Sequence, residues 1–296
     1  MLSILIPTYN FNTFPLVKSL QKQAEEALIP YEIIVIDDAS MEFTEINEDI
    51  NSIPNCSYIM LKRNVGRAKI RNTLAKKAKY NYLLFIDGDA EVASNNFINR
   101  YLPFCKENVV VCGGCQYHPE DAREKDYQLR LAYGKKREAL SAQSRSINPY
   151  KSFSSFNFLI LKETFLEILF DESIVKYGHE DTLFGFELKQ RRIPICHIQN
   201  PLIHLGIETS SVFMQKTKES IQNLLLISKK PEYQHIVQEI SLLRAYTILK
   251  KLNLHKLFKR MYKHIHPLVS RNLGGFRPSM FCFDLFKLAY LCKIDK

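Results

Sequence analysis

The chain has 296 residues, of which 46% are hydrophobic and 24% are charged. Both fractions are ordinary for a globular protein, and the length allows one large domain or one domain with a substantial appendage. No stretch reaches the roughly 18 uninterrupted apolar residues that a membrane-spanning helix needs, so the sequence predicts no transmembrane segment.

The formal net charge of +10 is unevenly distributed along the chain. Residues 209–296 contain 16 Lys and Arg and 5 Asp and Glu, a balance of +11. Residues 1–208 contain the other 25 basic and 26 acidic residues, a balance of −1. A basic excess confined to the last third indicates an anionic partner for that segment, either a membrane surface or a nucleic acid.

The amino terminus and the cysteines both bear on the cellular compartment. Residues 1–7 contain no basic leader and no cleavage-type site, so we expect no signal peptide. The seven cysteines are an odd number without the spacing of a disulfide framework. Because reduced thiols are typical of the cytoplasm, the sequence predicts a cytoplasmic protein.

Strands and helices alternate along the first part of the chain. Apolar runs predict strands at residues 3–6, 32–36, 58–61 and 82–86. Thr13 and Pro15 indicate the start of one helix, and a second helix is predicted from about Arg67 to Lys79. This alternation predicts a largely parallel α/β sheet flanked by helices. Because neighbouring parallel strands end at one edge, the polar residues that follow them should form one nucleotide-sized site: Thr8, Asp38, Asn64 and Asp89.

The strand at residues 82–86 runs directly into Asp87-Gly88-Asp89. Two carboxylates at the end of a buried strand repel each other and lose water together, so stability does not explain them. A divalent cation removes that cost. Aspartate oxygens suit Mg²⁺ or Mn²⁺, which take further ligands from water and substrate phosphates. Gly88 allows a tight turn beside a ligand. The alternative is a simple acidic turn.

The next segment contains two weaker signals. Residues 96–104 predict a helix and residues 109–111 a strand, which leads into Cys112-Gly113-Gly114-Cys115. This pair could bind zinc or act in redox chemistry, but no second pair completes a tetrahedral site, and two glycines in a turn account for the spacing. Residues 121–141 predict a solvent-facing helix with the basic side chains Arg123, Arg130, Lys135, Lys136 and Arg137.

A second acidic pair, Glu180 and Asp181, follows a predicted strand at residues 153–161. Residues 182–188 predict a helix, so both carboxylates should lie at its amino end, where free N–H groups and the helix dipole keep them ionised. Such a carboxylate can act as a general base, or it can simply cap the helix. Two short strands are predicted downstream, and their histidines are either structural residues or ligands: His197 and His204.

From Ser211 onward the pattern predicts helices only, with one long amphipathic helix at residues 242–269. Between Arg244 and His266 that helix has seven Lys and Arg and no acid. This composition suits a helix lying on an anionic bilayer with its apolar face down. A helical cap packed on the preceding domain explains the apolar face equally well. Its apolar positions are Leu242, Leu249, Leu252, Leu257, Met261, Ile265 and Leu268.

Taken in order, these motifs resemble those of the inverting glycosyltransferases of family 2, which have a Rossmann-like GT-A fold. The resemblance covers about residues 1–208. Ile70 replaces the family's usual alanine before Arg71-Asn72, and Ala90 stands where a further acid often follows the Asp-x-Asp motif. The matching segments are Ser3 to Asn10, Ile34 to Ser40, Asn64-Val65-Gly66, Arg71-Asn72, Phe85 to Asp89, Asn157 to Lys162, Gly178 to Asp181, and His204.

The resemblance implies roles for individual residues. Asp38 would bind the nucleotide base in a pocket with Pro7, Thr8 and Tyr9, and Arg71 would approach the diphosphate. Asp87 would contact the ribose or the metal, and Asp181, beside Glu180, would take the proton from the acceptor hydroxyl. The remaining implied donor-binding residues are Asn64, Gly66 and Gly88, and the implied ligands of Mn²⁺ or Mg²⁺ are Asp89 and His204.

The implied activity is transfer of a sugar from a nucleotide-diphosphate sugar, of which a UDP-sugar is expected, to a saccharide or lipid-linked saccharide in bacterial surface polysaccharide synthesis. We expect a GT-A domain at residues 1–208. A basic helical extension at residues 209–296 would place the protein peripherally on the inner face of the cytoplasmic membrane. The sequence identifies neither the donor sugar nor the acceptor.

Two other functions fit parts of the sequence. A nucleotidyltransferase with a similar sheet should have a glycine-rich basic loop after its first strand, and residues 7–11 are not such a loop. A nucleic-acid-binding protein would explain the basic tail but not acidic strand ends in a neutral body, so no nucleic-acid partner is expected.

Overall fold

The computed structural model of the chain describes residues 1–118, 124–174 and 178–295. Within them, the chain forms two compact units. The first comprises residues 1–118, 138–174 and 180–206, and the second comprises residues 124–137, 178–179 and 207–295. The predicted division at residue 208 stays a prediction, and two short internal segments accompany the C-terminal region in the second unit.

All described strands belong to the first unit. They are β1 (Leu2–Thr8), β2 (Tyr31–Asp37), β3 (Cys56–Met60), β4 (Tyr82–Ile86), β5 (Ala90–Glu91), β6 (Val110–Cys112), β7 (Cys115–Gln116), β8 (Asn157–Leu161), β9 (Ile195–His197) and β10 (Leu202–His204). Seven form one sheet in the order β3-β2-β1-β4-β8-β6-β9, and β5, β10 and β7 form a small second sheet. In the large sheet only β8 runs antiparallel to its neighbours, which confirms the predicted, largely parallel α/β sheet.

The described helices are α1 (Phe14–Glu26), α2 (Thr44–Glu48), α3 (Arg67–Lys77), α4 (Gln128–Tyr133), α5 (Ala142–Ser146), α6 (Lys162–Ile168), α7 (Glu180–Gln190), α8 (Ser210–Lys229), α9 (Gln234–Val237), α10 (Ser241–Lys251), α11 (His255–Leu273) and α12 (Met280–Ile294). Of these, α4 and α8 to α12 belong to the second unit. Among the helices in the described part of the chain, none has both the length and the apolar character needed to cross a membrane.

The central strands are buried on both faces because their side chains alternate between two apolar clusters. On β1, Leu2, Ile4 and Ile6 belong to one cluster, whereas Leu5 belongs to the other. The side chains of β4 divide in the same way. Since each fully buried aliphatic side chain contributes about 1.5–3 kcal/mol, the continuous apolar runs hold the strand order firmly and fix where each strand ends.

The second unit has an apolar core of its own, in which Phe213, Phe283 and Phe286 are buried among α8, α11 and α12. At the edge of this core, Asp295 makes polar contacts with three other residues of the unit. Its carboxylate accepts a hydrogen bond from Tyr246 and lies 2.7 Å from Lys250 Nζ and 3.1 Å from Lys229 Nζ. Burial opposes ionisation, but the hydrogen bonds from these three residues lower the pKa of Asp295.

Three predicted helices are wrong in part. Residues 96–104 form turns and a short 3-10 segment, which has Pro103 in its first turn. The predicted helix at 242–269 is two helices, α10 and α11, separated where Asn253 has the left-handed φ of 55°. The described residues 124–141 contain α4 and a π-helical segment, and Arg130 is buried over the ring of Phe213. Arg123 lies outside the described residues.

Candidate active site

The carboxyl ends of β1, β2 and β4 lie at one edge of the large sheet because these strands are parallel neighbours. The structure therefore places Pro7, Thr8 and Tyr9 at the same edge as the residues that follow β2 and β4. The side chain of Thr8 is buried, and its Oγ1 has no hydrogen-bond partner among the described residues. Tyr9 is 54% exposed and could cover a planar ligand.

Asp38 ties the turn before α3 to this edge. Its own N–H donates to the carbonyl oxygen of Thr8 at 2.9 Å. Its carboxylate accepts hydrogen bonds from the N–H groups of Val65 at 2.6 Å and Gly66 at 2.9 Å. Gly66 has a φ of +85°, which a residue with a side chain rarely adopts. Asp38 therefore shapes the turn that contains the exposed Asn64, and its predicted contact with a nucleotide base stays a prediction.

Gly88 allows the end of β4 to pack directly against the end of β1. Its N–H donates to the carbonyl oxygen of Pro7 at 3.1 Å. A Cβ atom at this position would lie 2.9 Å from that oxygen, from Thr8 Cβ and from Thr13 Cγ2. Because backbone cannot move aside without shifting a strand, the glycine between the two aspartates is required by packing.

Two arginines of α3 neutralise the acidic residues at this edge. The buried guanidinium of Arg71 forms an ion pair with Asp87 Oδ1. Arg67, one helical turn earlier, lies 3.2 Å from Asp87 Oδ2 and 3.0 Å from Glu180 Oε1. The structure therefore brings together the predicted residues Arg71, Asp87 and Glu180: Arg71 pairs with Asp87 directly, and Arg67 bridges Asp87 to Glu180. The predicted contact of Arg71 with a diphosphate stays a prediction.

Asp181 lies in the first turn of α7, next to Glu180. Its Oδ2 accepts a hydrogen bond from the N–H of Ser155 at 3.1 Å, whereas its Oδ1 is buried and has no hydrogen-bond partner among the described residues. Burial and the adjacent charge of Glu180 raise the pKa of Asp181, and the opposing charges of Arg71 and Arg67 do not cancel them. A carboxylate with a raised pKa is a stronger base than an ordinary aspartate.

Asp89 and His204 face each other, with Asp89 Oδ2 and His204 Nε2 3.1 Å apart. The pairing of β10 with β5 brings them together, and the N–H of Leu205 donates to the carbonyl oxygen of Asp89 at 2.8 Å. Burial opposes ionisation of Asp89, but the hydrogen bond and charge of His204, together with Arg67, lower its pKa. A side chain on Gly206 would overlap the Asp89 carboxylate.

This pair fits a divalent cation. Ligands at adjacent positions of an octahedral ion, each about 2.1 Å from it, lie about 3.0 Å apart, close to the separation of these two atoms. Carboxylate oxygen together with imidazole nitrogen suits Mn²⁺ better than Mg²⁺. Among the described residues, no group of three or more His, Cys, Asp or Glu could hold a metal ion. Waters and a substrate would therefore supply the other ligands.

Two further residues that could be ligands, His197 and Cys112, are structural. His197 Nε2 donates to the carbonyl oxygen of Pro149 at 3.0 Å, and its Nδ1 lies 2.8 Å from Arg145 Nη1. Burial lowers the pKa of His197, so the neutral ring is favoured. Cys112 is buried, and burial raises the pKa of its thiol to about 12, which makes it a poor nucleophile and ligand.

Sequence reasoning missed four contributors to the site: Arg67, the N–H of Ser155, and the rings of Tyr117 and Phe156. Arg67 could have been identified from its i, i+4 spacing with Arg71 on one helix face. The N–H of Ser155 gives no sequence signal, because any residue has one. His204 also packs edge-on against the rings of Tyr117 and Phe156, at centroid distances of 5.6 Å and 5.2 Å.

A mostly parallel sheet with acidic residues at its carboxyl edge and a C-terminal helical region is the architecture of a GT-A enzyme. The sequence model described as "Glycosyl transferase family 2" matches residues 3–165, more than half of the chain. The chain therefore belongs to glycosyltransferase family 2, as the motifs predicted. Membership of this family favours glycosyltransferase activity over the two alternative functions.

Two curated relatives are similar to part of the chain. The glycosyltransferase EpsJ of Bacillus subtilis is 27% identical over 128 residues, 43% of this chain and 37% of EpsJ. The chondroitin synthase of Escherichia coli is 25% identical over 221 residues, 63% of this chain and 32% of that protein. The chain thus spans about a third of the length of these relatives.

Solved structures support the fold. S. aureus TarS 1–349 in complex with UDP-GlcNAc aligns with a TM-score of 0.53 and 17% identity, over 99% of this chain and 90% of that chain. The mannosyltransferase PcManGT of Pyrobaculum calidifontis, in complex with GDP-Man and Mn²⁺, aligns with a TM-score of 0.53 and 14% identity, over 77% of this chain and 64% of that chain. At these identities the likeness shows the fold alone.

Proposed function

We propose that the chain transfers a hexosyl or N-acetylhexosaminyl group from a UDP-sugar to a hydroxyl group of a saccharide or lipid-linked saccharide, with inversion, in bacterial surface polysaccharide synthesis. The observation that carries the proposal is the cluster at one sheet edge, where Asp89 faces His204 and Arg67 joins Asp87 to the acidic pair of α7. The names chondroitin synthase and TarS with UDP-GlcNAc support a polysaccharide acceptor and a uridine donor.

The donor would lie across the carboxyl ends of β1, β2 and β4, where open α/β sheets bind their ligands. Tyr9 would cover the base and Asp38 would accept a hydrogen bond from it. Arg67, at the amino end of α3, offers a partly exposed guanidinium for the diphosphate, whereas Arg71 holds Asp87 in place. In this proposal Arg67, and not Arg71 as the motif resemblance implied, contacts the diphosphate, because the guanidinium of Arg71 is buried against Asp87.

Asp89 and His204 would hold the divalent cation, which when bound neutralises charge that develops on the leaving diphosphate. Asp181 would accept the proton of the acceptor hydroxyl as that oxygen attacks the anomeric carbon. Its raised pKa strengthens it as a base, while the N–H of Ser155 fixes its orientation. With one base and no protein nucleophile, the displacement is direct and inverts the anomeric configuration.

The test is thermal stability of the folded chain with UDP, GDP or CMP, each with and without Mn²⁺. A ligand at about 100 times its Kd stabilises a protein by about 2.7 kcal/mol. We expect a Mn²⁺-dependent shift with UDP that is lost in Asp89→Ala and kept in Asp49→Ala, an exposed aspartate on the surface. Stabilisation by GDP alone would show that the donor is a GDP-sugar and not a UDP-sugar. No stabilisation by any nucleotide would refute the proposed site.

Inversion needs a separate experiment, because nucleotide binding does not report stereochemistry. The chain would be incubated with the UDP-sugar identified by binding and with saccharide acceptors, and the anomeric configuration of the product read by NMR. An axial donor sugar should give an equatorial linkage. Retention of configuration would refute direct displacement and the role of Asp181 as base.

A further inference from the structure

The segment from α10 to the residues after α11 is strongly and uniformly basic. Between residues 241 and 277 there are nine Lys and Arg and no Asp or Glu. Arg260, Lys263 and Arg271 on α11 are all exposed. All the side chains of this segment that are charged at neutral pH are positive. The segment therefore attracts polyanions and repels a second copy of itself.

One face of α11 also exposes large apolar side chains. Leu257, Met261 and Leu268, which we call the apolar stripe, are 50%, 39% and 73% exposed. At about 100° per residue, Met261 and Leu268 lie about 40° and 20° around the helix from Leu257. The buried side chains of Tyr262 and Val269 lie further round, toward the core of the second unit. The helix therefore has an exposed apolar face in addition to the face that packs.

Basic residues border the apolar stripe on its outer side. By the same helical geometry, Arg260 and Arg271 lie about 60° and 40° from Leu257, in the direction away from the core. Ile248 on α10, Leu252 just after it and Phe276 after α11 are exposed as well. Side chains of this kind can insert their apolar parts into the acyl boundary of a bilayer while arginine head groups stay at the level of the lipid phosphates.

We propose that the apolar stripe and its basic border dock the protein on the surface of an anionic phospholipid bilayer. Charge complementarity favours a polyanion, and the exposed leucines distinguish a bilayer from a nucleic acid, whose phosphates give apolar side chains no partner. The structure corrects the sequence-based version of this surface. Leu242 and Leu249 pack against the core, so only part of the predicted apolar face is available.

The proposal predicts separate apolar and electrostatic contributions to binding. Each basic residue near an anionic surface is worth about a fivefold gain in partitioning, so Arg260→Gln with Arg271→Gln should weaken binding about 30-fold. Each leucine that becomes buried is worth roughly tenfold or more, so Leu257→Ser with Leu268→Ser should weaken binding at least as much. Added salt should weaken the binding of the wild-type protein to the bilayer, and it should restore the binding of neither double variant.

The natural chain has no tryptophan, so a single introduced tryptophan reports its own surroundings. We would compare Leu268→Trp with Met41→Trp, a control at a side chain that is 90% exposed in the first unit. Each variant of the full chain would be mixed with vesicles of phosphatidylcholine alone and with vesicles that also contain phosphatidylglycerol. We expect emission at position 268 to shift to shorter wavelength with the anionic vesicles only, and emission at position 41 to stay unchanged.

Other outcomes would overturn the proposal. Sedimentation with anionic vesicles that the two double variants leave unchanged would mean that another surface binds lipid. If the emission of Leu268→Trp shifts as the protein concentration rises, without lipid, the apolar stripe binds a second copy of the chain. If the emission shifts with RNA but not with vesicles, the stripe binds a nucleic acid. Since the assay uses no sugar nucleotide, its failure would leave the proposed transferase function standing, and the reverse also holds.

Discussion

Arg67 is the side chain whose removal should change the chemistry of the site most selectively. It lies 3.0 Å from Glu180 Oε1 and 3.2 Å from Asp87 Oδ2. Burial and then Glu180 raise the pKa of Asp181, while Arg71 and Arg67 lower it. In Arg67→Ala we therefore expect the pKa of Asp181 to rise further. Because the base must be ionised to accept a proton, the acidic limb of the pH profile of kcat should move to higher pH.

The same substitution should cost stability by an amount between two limits. Breaking a buried ion pair costs about 3–5 kcal/mol, whereas an exposed pair contributes about 0–1 kcal/mol. The side chain of Arg67 is 44% exposed, although that of Glu180 is only 7% exposed. Solvent screening therefore places the loss at about 1–2 kcal/mol, or roughly 2–8 °C in Tm for a domain of this size.

The assay is kcat against pH with saturating UDP-sugar and Mn²⁺, so that a weaker affinity for either does not enter. Arg191→Ala is a matched control, because Arg191 is 43% exposed and lies 3.9 Å from Glu167 and 3.8 Å from Glu187 without touching the site. It should lose at most about 1 kcal/mol and keep the wild-type profile. An acidic limb that stays in place, or moves to lower pH, in Arg67→Ala would refute the electrostatic reasoning.

Three further predictions follow from individual side chains. Since a raised pKa means that the folded state binds the proton more tightly, Asp181 stabilises the fold less as pH rises; Asp181→Asn should be at least as stable at neutral pH while kcat falls about 10²–10⁴-fold. Gly88→Ala should lose about 1–3 kcal/mol and UDP binding, because the added methyl group meets the Pro7 carbonyl at 2.9 Å. The pKa of Asp295 is lowered, so its ionised carboxylate stabilises the fold above about pH 4 and this contribution is lost in acid. Asp295→Asn should therefore lose about 1–3 kcal/mol of stability at neutral pH.

Denaturant unfolding measures the stability of the three variants, and kcat measures the activity. Each prediction has an outcome that would contradict it. Full activity in Asp181→Asn would exclude this residue as the base. Gly274→Ala is a milder glycine control, since its added carbon meets the nearest atom at 3.3 Å, and equal losses in both variants would exclude a specific role for Gly88. Asp284 also has two cationic partners but is 47% exposed, so Asp284→Asn should cost less than Asp295→Asn at neutral pH.

The sequence predicts the sheet well because burial on both faces leaves a run of apolar residues in each of β1, β2 and β4. The same apolar runs also place the acidic turns, because the apolar run of β4 ends directly before Asp87. What local pattern cannot supply is the pairing of β10 with β5, which places His204 opposite Asp89 from 115 residues away in the chain. A histidine in a short strand looks the same whether it binds Pro149, as His197 does, or faces a carboxylate.

The helical tail shows the opposite limit. Periodicity correctly predicts helices, but it cannot tell an apolar face that packs from one that stays exposed. Leu249 and Leu257 fit the same amphipathic pattern, yet the first packs against the core and the second is half exposed. The left-handed Asn253 breaks the helix between them, and asparagine tolerates that conformation without any change in hydrophobic pattern. Burial therefore has to be read from tertiary structure.

The electrostatics of the site separate two carboxylates that begin as chemically identical groups. Burial opposes ionisation of Asp89, but its histidine and arginine neighbours outweigh burial and lower its pKa, which favours the ionised form that the proposed cation site needs. At Asp181, burial and Glu180 outweigh the arginines and raise the pKa, which suits a proton acceptor. Opposed shifts of this kind assign opposite tasks to neighbouring acids. Arg67 lowers the pKa of both carboxylates, so the opposed directions come from His204 beside Asp89 and from burial and Glu180 at Asp181.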